Sequence, residues 1–147
     1  MRGKVEIKIK YSEGMEPIKQ AHEGEWYDLR CAKDTTMWSG DFAMISLGVA
    51  IELPEGFEAI LAPRSSTFKQ YGIIMTNSIG VIDNLYCGDD DIWHFPALKV
   101  RGEPVTIHKN ERIAQFRILH KQPHCDIVEV DRLNGKNRGG FGSTGVK

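Results

Sequence analysis

Three cysteines in 147 residues, Cys31, Cys87 and Cys125, are few, widely spaced and odd in number. With no CxxC pair they disfavour a disulfide framework or a structural zinc site, and they read as reduced thiols. An excess of either charge is missing as well. Nineteen basic residues against twenty acidic ones give a formal net charge of −1, so no global positive field recruits nucleic acid or an anionic membrane, and any anion site must be local. Long apolar runs are absent: the N-terminal stretch alternates Val5, Ile7 and Ile9 with Glu6, Lys8 and Lys10, lacks the apolar block of a signal peptide, and is followed by nothing that could span a bilayer. There is no internal repeat. The expectation is a soluble, cytoplasmic protein with one domain over residues 1–147, a length that supports a single core and not a second.

What is present is period two. Val5, Ile7, Ile9 and Tyr11 form one alternating set, and Leu47, Val49, Ile51 and Leu53 form another, the pattern of half-buried strands. Shorter runs at residues 57–62, 81–86, 105–107, 112–119 and 126–130 are separated by turn signals such as Pro54-Glu55-Gly56 and Lys109-Asn110. Many short strands at this spacing predict an all-β sandwich or barrel. A single short helix is expected over residues 65–71, where Ser65 or Ser66 can cap a turn leading to Phe68 and Tyr71. Residues 133–147 change to a glycine-rich, almost coreless composition and read as a C-terminal arm.

Three stretches carry candidate chemistry. The arm contains Gly140, Gly142 and Gly145 in GxGxxG spacing, yet a dinucleotide fingerprint needs a following helix and an acidic residue about 20 positions later, for which no chain remains. What is left is a flexible strand in which Arg138, Ser143 and Thr144 sit beside closely spaced amides that can wrap oxyanions; the bland alternative is a disordered terminus. Arg64-Ser65-Ser66 brings a guanidinium, two hydroxyls and free amides together as a phosphate cradle, or else is a plain helix cap with a surface arginine. In the hairpin-like run from Asn77 to Gly88, Asp83 interrupts apolar residues. As a partly buried carboxylate it can take a proton from an attacking water, while Tyr86 offers a flat ring to a sugar; in isolation the pair also reads as a turn Asp and a core Tyr. His120, His124 and Cys125 lack a fourth ligand, and Asp89-Asp90-Asp91 reads as a solvated turn without the glycine and glutamate of a calcium loop.

Five segments in order resemble the motifs of the trimeric dUTPase family: Tyr27-Asp28-Leu29-Arg30, Pro63-Arg64-Ser65-Ser66, residues 80–88 from Gly80 to Gly88, Arg112-Ile113-Ala114-Gln115, and Arg138 through Gly145. The resemblance implies a jelly-roll-like homotrimer with active sites shared between subunits, and hydrolysis of dUTP to dUMP and pyrophosphate with Mg²⁺. By the same resemblance Asp83 positions the attacking water and Asp28 holds magnesium in its outer sphere, through water. Arg64, Ser65, Ser66 and Gln115 contact the triphosphate. Asn77 and backbone groups from Gly80 through Ile82 to Tyr86 read uracil, Tyr86 packs on deoxyribose, and Arg138, Phe141, Ser143 and Thr144 close over base and γ-phosphate from a neighbouring subunit's arm. Departures are Trp26-Tyr27 before Asp28, Leu85 in place of an acidic residue, and a shortened fifth motif. Trp93, His94 and Phe95 follow the third motif closely and compete with Phe141 as the ring that stacks on uracil, their ordinary reading being core or subunit contact. Two rivals remain: a dCTP deaminase of the same architecture, and a regulatory binding module that engages a partner protein with nucleotide as its switch.

Overall fold

Lys8–Tyr11 extends as strand β1 and pairs antiparallel with β5 (Val49–Glu52), Ile9 facing Ile51. The computed structural model describes residues 3–142 and 144–146, and nearly every regular element in it is a strand. Strand β3 (Thr35–Met37) pairs with β10 (Val105–Ile107), and β9 (His94–Lys99) runs between β4 (Phe42–Ser46) and β7 (Ile73–Met75). The largest sheet has the order β2 (Tyr27–Arg30), β11 (Arg112–His120), β6 (Phe57–Pro63), β8 (Gly80–Ile82). The architecture is all-β and of jelly-roll type, as the alternation and the resemblance both led us to expect. Among the described residues no helix is long and apolar enough to cross a membrane.

One core joins these sheets. Leu29, Leu47, Ile51, Leu61, Trp93, Phe95, Ile113 and Phe116 are almost fully buried, each such side chain contributing about 1.5–3 kcal/mol by leaving water. Phe116 meets Trp93 edge-on, with ring centres 5.2 Å apart, and Tyr27 by stacking at 5.5 Å. In β5 the expected alternation fails because Val49, Ala50 and Ile51 are all buried, so this strand is covered on both faces.

Two expected strands are corrected. The run at residues 81–86 stops at Ile82, because the Asp83 carboxylate accepts the Leu85 N–H at 2.8 Å and the Asp83 carbonyl accepts the Tyr86 N–H at 3.1 Å. This turn satisfies the backbone locally and no returning strand forms. Residues 126–130 form no strand either; Ile127, Val128 and Val130 are exposed and have no ladder partner among the described residues. Strand β9 escaped the alternation reading because Pro96 lies within it, yet the Pro96 carbonyl still accepts the Thr76 N–H at 2.9 Å.

The helix α1 (Thr67–Tyr71) forms where expected, but neither Ser65 nor Ser66 caps it with its side chain: Ser66 occupies the N-cap position, and among the described residues its hydroxyl makes no hydrogen bond. Its far end closes on Gly72, whose φ of 67° and whose approach to the Arg101 carbonyl, 2.5 Å from where a Cβ would stand, both require glycine. The buried Lys99 ammonium donates to the carbonyls of Tyr71 at 2.9 Å and Arg101 at 2.8 Å, satisfying carbonyls at the end of the short helix.

Candidate active site

Adjacent strands β2, β11 and β6 set Asp28, Gln115 and Ala62 in one row across the large sheet. On β11 Arg112 faces Arg30 and Ala114 faces Leu29, so Ile113 is one extra residue, a β-bulge. The bulge has a geometric consequence. Residues three apart on a regular strand point to opposite faces, but the extra residue brings Arg112 and Gln115 onto the face that also carries Arg30 and Asp28. Arg112 Nη1 then reaches Asp28 Oδ2 at 3.1 Å, and Arg64 Nε, from the end of β6, reaches Asp28 Oδ1 at 3.3 Å. Two guanidiniums share one carboxylate, which leaves one positive charge in excess at a partly buried spot. Each pair contributes on the order of 1 kcal/mol at this exposure; their larger effect is orientation.

The loop after β6 is fixed in place. Gln115 Nε2 donates to the Pro63 carbonyl at 3.0 Å, and Arg64 Nη1 donates to the Arg112 carbonyl at 3.3 Å. The buried Thr67 hydroxyl accepts the Arg64 N–H at 3.0 Å and donates to the Ile113 carbonyl at 2.8 Å. Ser65 is exposed and Ser66 half-buried. The first turn of α1 therefore presents hydroxyls and amides beside the guanidiniums, a combination suited to phosphate oxygens.

At the other end of the sheet lies the third motif. Asn77 is exposed, its carbonyl accepting the Ile79 N–H at 2.6 Å. Gly80 is buried against Leu61, whose Cβ would stand 3.0 Å from any Cβ at residue 80, so glycine lets β8 lie close on β6. Strand β8 is the edge of its sheet; one side of its backbone is open, a row of donors and acceptors in fixed order. Ile82 is half-buried opposite Ala59.

Asp83 corrects the expectation of partial burial, since 59% of its side chain is exposed. The Leu85 amide on its carboxylate, with the Lys121 ammonium at 3.5 Å, holds its pKa below the ordinary aspartate value. Tyr86 directs its hydroxyl to the Ile92 carbonyl at 3.3 Å and leaves much of its ring exposed, so it is not a core tyrosine.

The two ends are far apart. Asp83 follows Ile82, which faces Ala59 near the start of β6, whereas Arg64 follows its last residue, an interval of roughly 20 Å of strand. Within one chain the Asp83 carboxylate and the Arg64 cluster do not meet.

Arg138, Phe141 and Thr144 are exposed in the tail, and Ser143 lies outside the described residues. Trp93 and Phe95 are core side chains and have no face to offer a ligand, while His94 turns Nδ1 to the Ile92 carbonyl at 2.8 Å. Asp28, expected near magnesium, has each oxygen engaged by a guanidinium. Among the described residues no group of three or more His, Cys, Asp or Glu side chains could hold a metal ion. Sequence reasoning missed Thr67 and gave Arg112 no role of its own. An arginine three residues before Gln115 looks misplaced on a strand, and that odd spacing was the available signal.

Residues 16–145 match the family model described as dUTPase. Over 144 residues the chain is 51% identical to the SPbeta prophage-derived deoxyuridine 5'-triphosphate nucleotidohydrolase of Bacillus subtilis strain 168, covering 97% of this chain and 100% of that protein. Its fold is similar to that of a mutant Staphylococcus bacteriophage 80alpha dUTPase with dUpNHpp, with a TM-score of 0.80 at 20% identity over 96% of this chain and 99% of the other. It is also similar to a mutant dUTPase from phage phi11 of S. aureus, a structure concerned with the coordination of a structural Mg(II) ion, with a TM-score of 0.74 at 16% identity over 88% and 99%. A family model matched along most of the chain, and a relative aligned over its whole length that shares half its residues, lead to one placement: this chain belongs to the dUTPase family.

Proposed function

We propose that this chain hydrolyses dUTP to dUMP and pyrophosphate by in-line attack of water on the α-phosphorus, and that it works as a homotrimer whose sites lie at subunit boundaries. The observation that carries the reading is the two-ended layout of the large sheet. One end gathers Arg64, Arg112, Gln115 and the first turn of α1; the other joins an open backbone edge to an exposed carboxylate. The phosphates of one nucleotide span far less than the roughly 20 Å of strand between Asp83 and Arg64, so an α-phosphate beside Asp83 and outer phosphates beside Arg64 require the Asp83 end of one subunit and the phosphate end of another.

Strand β8 supplies the reading of the base. A fixed N–H meets the uracil O4 and a fixed carbonyl meets its N3–H, whereas cytosine presents the reverse order and leaves buried groups unpaired at about 1–3 kcal/mol each. Asn77 joins this recognition from the start of the motif, and the open ring of Tyr86 packs on the deoxyribose where a 2′-hydroxyl would clash. Asp83 stays ionised at neutral pH, accepts a hydrogen bond from the attacking water and takes its proton as the bond to phosphorus forms. Pyrophosphate leaves toward the guanidiniums, which are already oriented and screen its charge without reorganising.

The donor set fits a magnesium ion that arrives on the triphosphate. Asp28 is the nearby carboxylate that would hold it through water, with oxygens of the phosphates and solvent as its other ligands. When bound, the ion supplies further charge neutralisation on the phosphates. Arg138, Phe141, Ser143 and Thr144 act from the arm, residues 133–147 of the single domain, which folds over a neighbouring subunit's nucleotide. Phe141 is the stacking ring. A nucleotide substrate and three free thiols accord with a cytoplasmic setting.

The test is pyrophosphate release from dUTP, UTP, dCTP and dTTP, with and without magnesium. Release confined to dUTP and raised by the metal is the expected result. Ammonia from dCTP would make the chain a deaminase, and no turnover of any nucleotide would leave the regulatory module.

A further inference from the structure

The loop carrying Arg64, Ser65 and Ser66 is held by one short segment of β11. The Thr67 hydroxyl, in a residue 1% exposed, donates to the Ile113 carbonyl at 2.8 Å and accepts the Arg64 N–H at 3.0 Å. Arg64 Nη1 donates to the Arg112 carbonyl at 3.3 Å. At the far end of α1 the Tyr71 phenol donates to the Glu111 carboxylate. Three successive residues, Glu111, Arg112 and Ile113, thus each hold one residue of the loop or helix, and they are the residues that enter the bulge.

We propose that Thr67 and Tyr71 are positioning residues of the phosphate end: they lock the bulged segment to the loop, and so fix the Arg64 guanidinium and the free hydroxyl of Ser66 toward the triphosphate. The proposal rests on the nucleotide-hydrolase reading above. Its chemistry is specific to the hydroxyl. Thr67 uses both its donor and its acceptor capacity, and valine, its near-isostere, supplies neither, so the Arg64 amide and the Ile113 carbonyl lose their partner together. Serine keeps both bonds. Because β8 reads the base at the distant end of the sheet, the loss falls on affinity for the outer phosphates and not on affinity for the nucleoside.

The experiment compares the full-length wild type with Thr67→Val, Thr67→Ser and Tyr71→Phe. It measures dUTP hydrolysis and the binding of dUpNHpp and of dUMP, each at a temperature where circular dichroism shows the protein folded. Thr67→Val is expected to raise the KM for dUTP and the Kd for dUpNHpp about tenfold, the equivalent of about 1.4 kcal/mol, with dUMP binding unchanged. Thr67→Ser should bind like the wild type, and Tyr71→Phe should shift in the same direction as Thr67→Val by less. Unchanged dUpNHpp affinity in folded Thr67→Val overturns the proposal, as does an equal loss for dUMP, which is what a merely structural role predicts. If Thr67→Val does not fold, Tyr71→Phe decides by the same two ligands. A wild type that fails to bind dUpNHpp sinks the hydrolase reading instead; binding of inorganic tripolyphosphate to the same variants then carries this test.

Discussion

The start of β11 and the C-terminal tail belong to the same proposed site, yet they are built in opposite ways. From Glu111 to Gln115 every residue but Ala114 makes a hydrogen bond or ion pair to another part of the candidate site, and Ala114 lies buried in the core beneath them. In the tail, Arg138 and Phe141 stand in solvent, and among the described residues the Gly145 N–H donates to the Gly142 carbonyl at 2.8 Å. The first region has its charges oriented before any ligand arrives, which saves reorganisation during the reaction. On the proposed reading the second would lose conformational freedom on closing, and so would report that a ligand is present. If the tail is ordered by binding, as proposed, rigid charge on one side and that segment on the other divide the work between affinity and commitment.

The sharpest probe of that division is neither region but the carboxylate between them. Asp83→Asn keeps the turn, because an amide oxygen still accepts the Leu85 N–H, while removing the proton acceptor. We expect kcat to fall by about 10²–10⁴ with dUpNHpp binding nearly intact; hydrolysis at the wild-type rate would show that another group takes the proton. Next in size is removal of the tail before Arg138. An exposed segment holds little of the fold together, so the melting temperature should move by no more than about 2 °C, while kcat/KM falls about 10²-fold, the size of losing one preorganised contact to developing charge. A truncated protein of normal activity would leave the rigid end sufficient by itself and erase the contrast.

How much of this could be read before any coordinates follows from how local each determinant is. The all-β architecture was legible because the alternation at β1 and the short apolar runs, β11 among them, depend only on neighbouring residues. The placement of α1 was legible for a similar reason, yet its cap was not: a serine before a helix is a good cap in general, but here Thr67 reaches across to Ile113 and leaves Ser66 free, a long-range fact. The turn at Asp83 was hidden by the apolar residues on either side, which looked like one continuous strand. Period-two reasoning also assumes an unbroken strand, and the bulge at Ile113 breaks it. That is why Gln115 was picked out with its motif while Arg112 received no task. Asp28 was assigned to a metal from its motif alone, since nothing in the order of residues foretells that two guanidiniums converge on it.

The smallest expected effect tests whether the grip on the rigid end is electrostatic. The Tyr71 hydrogen bond, with support from the His108 amide, holds the Glu111 carboxyl below its ordinary value of 4.5, and burial with the adjacent carboxylate pushes the Tyr71 phenol up. A carboxyl more acidic in the folded state than in the unfolded one adds stability that is fully present above the unfolded pKa. That stability is lost as the pH falls through the folded value. Glu111→Gln keeps an acceptor for Tyr71 but not the charge, so at pH 7 it should be less stable than the wild type by about 1 kcal/mol, below the roughly 1.5–3 kcal/mol of a shielded hydrogen bond to a charged group because solvent screens this partly exposed site. Thermal melts of the two proteins from pH 7 downward should stay apart until the pH drops below 4.5, then converge as the wild type protonates. A gap that persists unchanged into that acid range would mean the Tyr71 contact owes nothing to charge, and the segment before the bulge would then be held by shape alone.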